Sequence, residues 1–162
     1  MSTMFIDNGV TGSIGIIRDD GSSGFMLTPS IKMQDYTKTK KNISRIDAPA
    51  LMGIVMEENP SMVYMERPMI NPTRFSATIS AVRALEATIT VLETLEVPYQ
   101  FVDSKEWQKG LLPSSGKKGT DSSTLKQESH DIGIRLFPMH RELIHKHKDA
   151  DGILGAFALS KK

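Results

Sequence analysis

The chain has 162 residues, of which 39% are hydrophobic and 24% charged, with a net charge of +1 and no cysteine. That length supports one compact domain, 1–162, with a real core. The absence of cysteine excludes disulfides and thiolate metal sites, and a reducing, intracellular setting fits it. No run reads as a membrane span, and the N-terminus shows no signal or transit pattern.

Charge is unevenly spread. Residues 104–162 hold 11 Lys/Arg against 7 Asp/Glu, a net +4, together with all four His; residues 1–103 hold 9 against 12, a net −3. This asymmetry permits a polyanionic partner without requiring one.

Met4-Phe5-Ile6 reads as a short strand, "SIGIIR" (13–18) as a second, and "GFMLT" (24–28) as a third after the Asp20-Gly21 turn. The basic stretch "KTKKN" (38–42) reads as a solvated loop. Ile46, Ala50, Leu51, Ile54 and Val55 then recur at helical spacing and stop before Pro60. "MVYM" (62–65) is a strand-like run that ends on Glu66, and Pro68 closes it. Asn71-Pro72 is an N-cap followed by proline at the first helical position. From there Phe75, Ile79, Val82, Leu85, Ile89, Leu92 and Leu95 step by three or four, the strongest helical pattern in the chain.

"YQFVD" (99–103) is a further strand, and "PSSGKKGTDSS" (113–123) a loop with two adjacent lysines. Thr124 with Gln127 matches a capping box and predicts a helix to about Leu136. A last helix is predicted over 150–160. The order β-β-β-α-β-α-β-α-α predicts an α/β fold: an antiparallel three-strand meander continued by parallel strands, with helices on both faces. It fits a ribonuclease H-like mixed sheet.

Taken singly, the acids have ordinary explanations. Asp7 with Asn8-Gly9 suits a turn. Glu66 suits a solvated strand end. Asp149 or Asp151 suits the start of the last helix. Residues two apart on a helix diverge by about 200°; Asp151, three before Leu154, shares the core-facing side, and Asp149 points elsewhere unless the helix starts after it. His147 joins Asp151 on one face if the helix extends back; otherwise "HKHK" (145–148) is a solvated basic run. Taken together, two acids end successive apolar strands and a third opens a helix that packs on the sheet. Such hard oxygen ligands suit Mg²⁺ or Mn²⁺. Two ions about 4 Å apart can activate water and stabilise the leaving oxygen of a phosphodiester. No Gly-rich phosphate loop and no serine elbow offers a rival.

Four blocks, "FIDNGVTGSIGII", "MVYMERPM", "FVDSKEWQKGLLP" with "TLKQESHDIGIRLFP", and "KHKDADGILGAFA", span nearly the whole chain in order. The set resembles the RuvC-type Holliday-junction resolvases of the ribonuclease H-like superfamily, nearest to their phage and chloroplast members. The resemblance implies catalytic and metal-binding roles for Asp7, Glu66 and Asp151, with His147 or Asp149 as the fourth site residue. Lys148, three before Asp151, departs from the family pattern. Lys126 matches a phosphate-contacting lysine and is expected in the first turn of its helix. Lys117 and Lys118 are either its neighbours on DNA or a solubilising loop. Arg67 and Arg74 are candidate phosphate contacts. Met69, Ile70 or Phe75 is either a wedge at the opened junction centre or a core or dimer contact.

The implied activity is that of a crossover junction endodeoxyribonuclease. It would be a homodimer that makes paired nicks in a four-way DNA junction with two Mg²⁺ or Mn²⁺ ions per active site, giving 5′-phosphate ends. The implied setting is the cytoplasm of a bacterial or phage-infected cell, with no membrane partner and no small-molecule cofactor. Three alternatives remain: a broader branched-DNA, flap or other ribonuclease H-like nuclease, a non-catalytic junction-binding module, and an actin-like ATPase fragment suggested by "DNGVTGS".

Overall fold

Strand alternation divides the apolar residues of the first strand between two layers. Side chains on a strand point to opposite faces in turn. Met4 and Ile6 join one buried group and Phe5 joins another on the opposite side. The structure, a computed structural model, describes residues 2–161.

Strands β1 (Thr3–Ile6), β2 (Ser13–Ile17) and β3 (Ser23–Leu27) form the antiparallel meander. After helix α1 (Ala48–Glu58), strand β6 (Met62–Glu66) pairs parallel to β1, and β7 (Tyr99–Val102) pairs parallel to β6. The sheet order is β3-β2-β1-β6-β7, the ribonuclease H-like mixed sheet expected.

Between β3 and α1 stands a separate two-stranded hairpin, β4 (Ser30–Gln34) and β5 (Asn42–Ile46). The predicted loop at 38–42 is mostly its tip. Ile46 ends β5 rather than joining the helix, and Asp47 caps α1 through a bond from the Ala50 amide, 3.1 Å. The hairpin strands were illegible because nearly all their side chains are exposed, so no buried face sets an alternating pattern.

Helix α2 (Phe75–Thr94) follows a 3-10 turn, Pro72–Arg74, that Asn71 caps as expected. It packs on the sheet together with α1, but through Ala84, Thr88, Val91 and Leu92. The N-terminal part of the predicted stripe is uncovered: Phe75, Ile79 and Val82 face outward. The combined segment Pro72–Thr94 is also long and apolar enough, by those measures alone, to cross a membrane, which the sequence reading did not register.

Two short helices escaped prediction: α3 (Ser104–Gln108) and α5 (Arg141–His147). Helix α4 (Ser122–Leu136) begins two residues before Thr124. Its cap is Asp121, which accepts from the Thr124 amide at 2.8 Å, while Gln127 reaches Asp131 instead. Lys126 therefore sits in the second turn, not the first.

Helix α6 (Asp151–Leu159) crosses β1 and β2 on the Phe5 side, with α3, α4 and α5 around it. A Cβ on Gly15 would collide with the Gly152 backbone, and one on Gly155 would lie 2.5 Å from the Phe5 ring. Glycine at these contacts lets the helix lie against the strands themselves.

Candidate metal and nucleic-acid site

Asp7 follows β1 directly. Its amide bonds to the Ser13 carbonyl at 3.0 Å, so the ladder runs one residue past the strand. The chain reverses beyond it through Gly9, at φ +140°, and the Gly12 amide closes on the Gly9 carbonyl at 3.1 Å. Asn8 leaves the turn and donates to the Ala81 carbonyl on α2, 3.2 Å. The reversal occupies residues 8–12 and leaves the Asp7 carboxylate free for the cleft.

Ile6 pairs with Met65 in the parallel ladder, so Asp7 and Glu66 are neighbours across it. Alternation from Phe5 and Tyr64 puts both on the face that α6 covers. Asp151 opens α6 on that same face. The Gly152 amide donates to the buried Ser13 hydroxyl at 3.0 Å, which ties the helix end to β2.

Carboxylate oxygens of Asp7, Asp149 and Asp151 all lie within 4.8 Å of one another. Asp149 can join because α6 starts after it. Ala150 is the cap residue and makes no side-chain cap bond, so neither acid is a conventional cap. Asp149 does accept from the Asp151 amide, at 3.3 Å.

His147 does not share a helix with Asp151. It ends α5, and Lys148 then turns the chain at φ +74°. His147 Nε2 stands 3.3 Å from Asp149 Oδ1, close enough for an ion pair but without hydrogen-bond geometry, and its ring rests on Phe25. It backs Asp149 rather than entering the three-carboxylate group.

Glu66 lies outside that 4.8 Å group but on the same cleft wall. Its Oε2 accepts from the indole N–H of Trp107 at 2.8 Å. Trp107 is fully buried, edge-on to Phe5. On the other side, the buried Ser129 hydroxyl donates to Asp151 Oδ1 at 2.5 Å and accepts from the Ala150 amide at 3.0 Å. Ser13, Trp107 and Ser129 were missed by the sequence reading. Ser129 had one signal: it lies three residues after Lys126 and three before Ile132, on one face of α4.

The electrostatics are those of crowded anions. Burial pushes the Asp7 carboxyl well above its ordinary value, and Glu66, Asp151 and Asp149 add to this. Burial raises Glu66 to about 7 against the pull of the Trp107 bond, and Asp151 to about 6 with Asp149 adding to the rise. Asp149 is the exception. Burial works against its charge, but His147, the Asp151 amide and Lys126 outweigh it and hold the carboxyl below its usual value. Three converging hard oxygen donors with so little cationic compensation fit a divalent metal.

Two grooves meet at these carboxylates. One, of about 670 Å³, is lined by Lys117, Lys118 and Lys126 as well as the acids, and Lys126 Nζ is 3.8 Å from Asp149 Oδ2. The lysine loop is held by Glu128, which accepts from the Ser114 amide at 3.0 Å and the Ser114 hydroxyl at 2.6 Å. The other, of about 700 Å³, runs toward α2 past Arg67, Met69 and Arg74. Arg67 is engaged there: it pairs with Asp103 at 3.0 Å and stacks over Phe101. Met69, Ile70 and Phe75 are 81%, 59% and 72% exposed, so none of them is core.

The strand order β3-β2-β1-β6-β7, with helices on both faces, gives this chain the fold of the RuvC-like resolvases. The chain is similar to T. thermophilus RuvC in complex with a Holliday junction substrate, at a TM-score of 0.55 and 12% identity, covering 99% of this chain and 96% of that one. It is also similar to the Thermus thermophilus RuvC structure (TM-score 0.49, 12% identity, 99% and 96% covered) and to the yeast mitochondrial Holliday junction resolvase Ydc2 (TM-score 0.43, 11% identity, 98% and 80% covered). At these identities the likeness is one of fold. No protein-family profile matches the chain, and no curated protein matches it in sequence.

Proposed function

We propose that this chain is a single-domain, metal-dependent endonuclease that resolves four-way DNA junctions as a homodimer. One observation carries the reading. Three buried or half-buried carboxylates, one following β1 and two at the start of α6, converge within 4.8 Å in a fold similar to that of a junction-bound RuvC.

In this reading Asp7, Asp149 and Asp151 would hold Mg²⁺ or Mn²⁺, two ions per site as the resemblance implies. When bound, such ions activate a water and stabilise the leaving oxygen of a phosphodiester. Glu66, oriented by Trp107, stands on the cleft wall to hold or accept a proton from the attacking water. Ser129 and Ser13 fix the end of α6, so the Asp151 carboxylate needs little reorganisation. His147 keeps Asp149 ionised from behind. Lys126, Lys117 and Lys118 grip the phosphates beside the scissile bond. The products carry 5′-phosphates.

The uncovered Phe75, Ile79 and Val82 support pairing of α2 with a second copy. A two-fold dimer presents two equivalent sites, so paired nicks follow from symmetry. Met69 and Ile70 would then stand beside the opened centre of the junction. The phage or chloroplast subtype rests on the sequence blocks alone.

The test is cleavage of a synthetic four-way junction by the wild type and by Asp7→Asn, with Mg²⁺ and with EDTA. Cleavage is expected only for the wild type with metal. Undiminished cleavage by Asp7→Asn, or in EDTA, refutes the reading.

A further inference from the structure

Residues 30–46 carry Lys32, Lys38, Lys40, Lys41 and Arg45 against one acid, Asp35, a net +4; the rest of the first 103 residues carries −7. All of that positive charge stands on the β4–β5 hairpin. No ion pair among the described residues engages its lysines. Asp35 is occupied in shaping the turn: it accepts from the Thr37 amide at 3.3 Å and the Thr37 hydroxyl at 2.9 Å.

The place where the hairpin leaves the sheet matters. Ile6 pairs with Ile14 and Ser13 with Leu27, so β3 ends level with Asp7. The Asp47 amide closes the hairpin base on the Pro29 carbonyl at 2.9 Å. The hairpin therefore springs from the carboxylate edge, two strand spacings or about 10 Å from β1. Five residues per strand extend it by about 17 Å, the length of about five base pairs of duplex. Arg83 on α2 donates to the Tyr36 hydroxyl at 3.4 Å and steadies it.

The register sorts its side chains. Lys32, Gln34, Asn42 and Ser44 share one face, and Ile31, Met33, Ile43 and Arg45 share the other. Each face carries one cation, Lys32 or Arg45; the Lys32 face is polar beyond the buried Ile46 at its base, and Lys38, Lys40 and Lys41 crowd the tip. We infer that this hairpin is a second nucleic-acid contact, laid on the phosphates of a duplex arm that leaves the catalytic cleft. The inference rests on the junction reading above. Amines on a polar ribbon recognise phosphate charge and not base sequence, so the contact serves affinity and arm placement.

The test is fluorescence anisotropy of a labelled synthetic four-way junction, titrated at several salt concentrations with Asp7→Asn protein so that nothing is cut. Each phosphate contact steepens the dependence of log K on log salt by about 0.9. Lys38→Gln/Lys40→Gln/Lys41→Gln, added to that parent, is expected to flatten the slope by about 2.7. Between 50 and 200 mM salt the parent then loses about 40-fold more affinity than the variant.

An unchanged slope in a parent that binds the junction overturns the hairpin inference alone. So does an equal flattening by Arg135→Gln/Arg141→Gln/Lys146→Gln, on the opposite side of the sheet, because the effect is then bulk charge. A changed oligomeric state by light scattering, with the slope unchanged, assigns the hairpin to contact between copies and overturns it too. A parent that binds no junction removes the functional reading and the hairpin inference with it.

Discussion

Replacing Glu66 by Gln removes one charge from the crowded carboxylates while keeping an acceptor for the Trp107 N–H, 2.8 Å away. Burial lifts the Glu66 carboxyl from 4.5 to about 7. Between those pH values the folded chain holds a proton that the unfolded chain has released. Stability of the metal-free protein therefore falls as pH rises from 4.5 to 7 and levels off above. At about 1.4 kcal/mol per pH unit, the ionised group costs about 3 kcal/mol at pH 8. Glu66→Gln lacks that penalty. In EDTA the variant is expected to match the wild type below pH 4.5 and to exceed it by about 3 kcal/mol at pH 8, or about 6–12 °C in Tm for a chain of this size. Thermal or urea unfolding at pH 4 to 8.5 measures the difference. Mg²⁺ should raise the wild-type Tm, since a ligand of the folded state alone stabilises it, and raise the variant's less. A stability difference that does not change with pH, or a variant less stable at pH 8, refutes the reasoning.

Trp107→Phe keeps the buried ring and deletes the donor. Losing a hydrogen bond to a charged acceptor costs about 1.5–3 kcal/mol and lets the Glu66 carboxyl rise further. The acid limb of the pH–cleavage profile should shift to higher pH. Trp107 is the one tryptophan in the sequence, so wild-type fluorescence should change on Mg²⁺ addition and stay unchanged in Glu66→Ala. Gly15→Ala drives a methyl into the Gly152 backbone and should destabilise by about 3 kcal/mol in denaturant unfolding, with metal affinity falling as α6 is displaced. Glu128→Ala releases both bonds to Ser114; limited proteolysis at 115–120 should accelerate, and KM for the junction should rise more than kcat falls.

Part of this molecule follows from local sequence. The meander, the strand ending on Glu66, the Asn71 cap and the last helix all obey period and turn chemistry within a few residues. Asp7 and Glu66 were legible as candidates because each closes an apolar strand. Other features needed distant partners. The β4–β5 hairpin lacks a buried face, so nothing in its pattern announces it. The stripe on α2 reads as core throughout, yet Phe75, Ile79 and Val82 face outward, because only the C-terminal half of that helix lies against the sheet. Spacing favours Asp151, three residues before Leu154, but whether Asp149 joins it depends on the residue at which α6 begins. Tertiary packing settles it: Lys148 turns the chain, Ala150 caps, and the Gly15–Gly152 contact seats the helix end beside Asp7. Likewise, Trp107 and Ser129 lie 41 and 22 residues from the carboxylates they hold. The sequence by itself determines which acids end which elements, because that is short-range chemistry. The tertiary structure decides which of them share one volume, because that depends on how closely a helix approaches two strands.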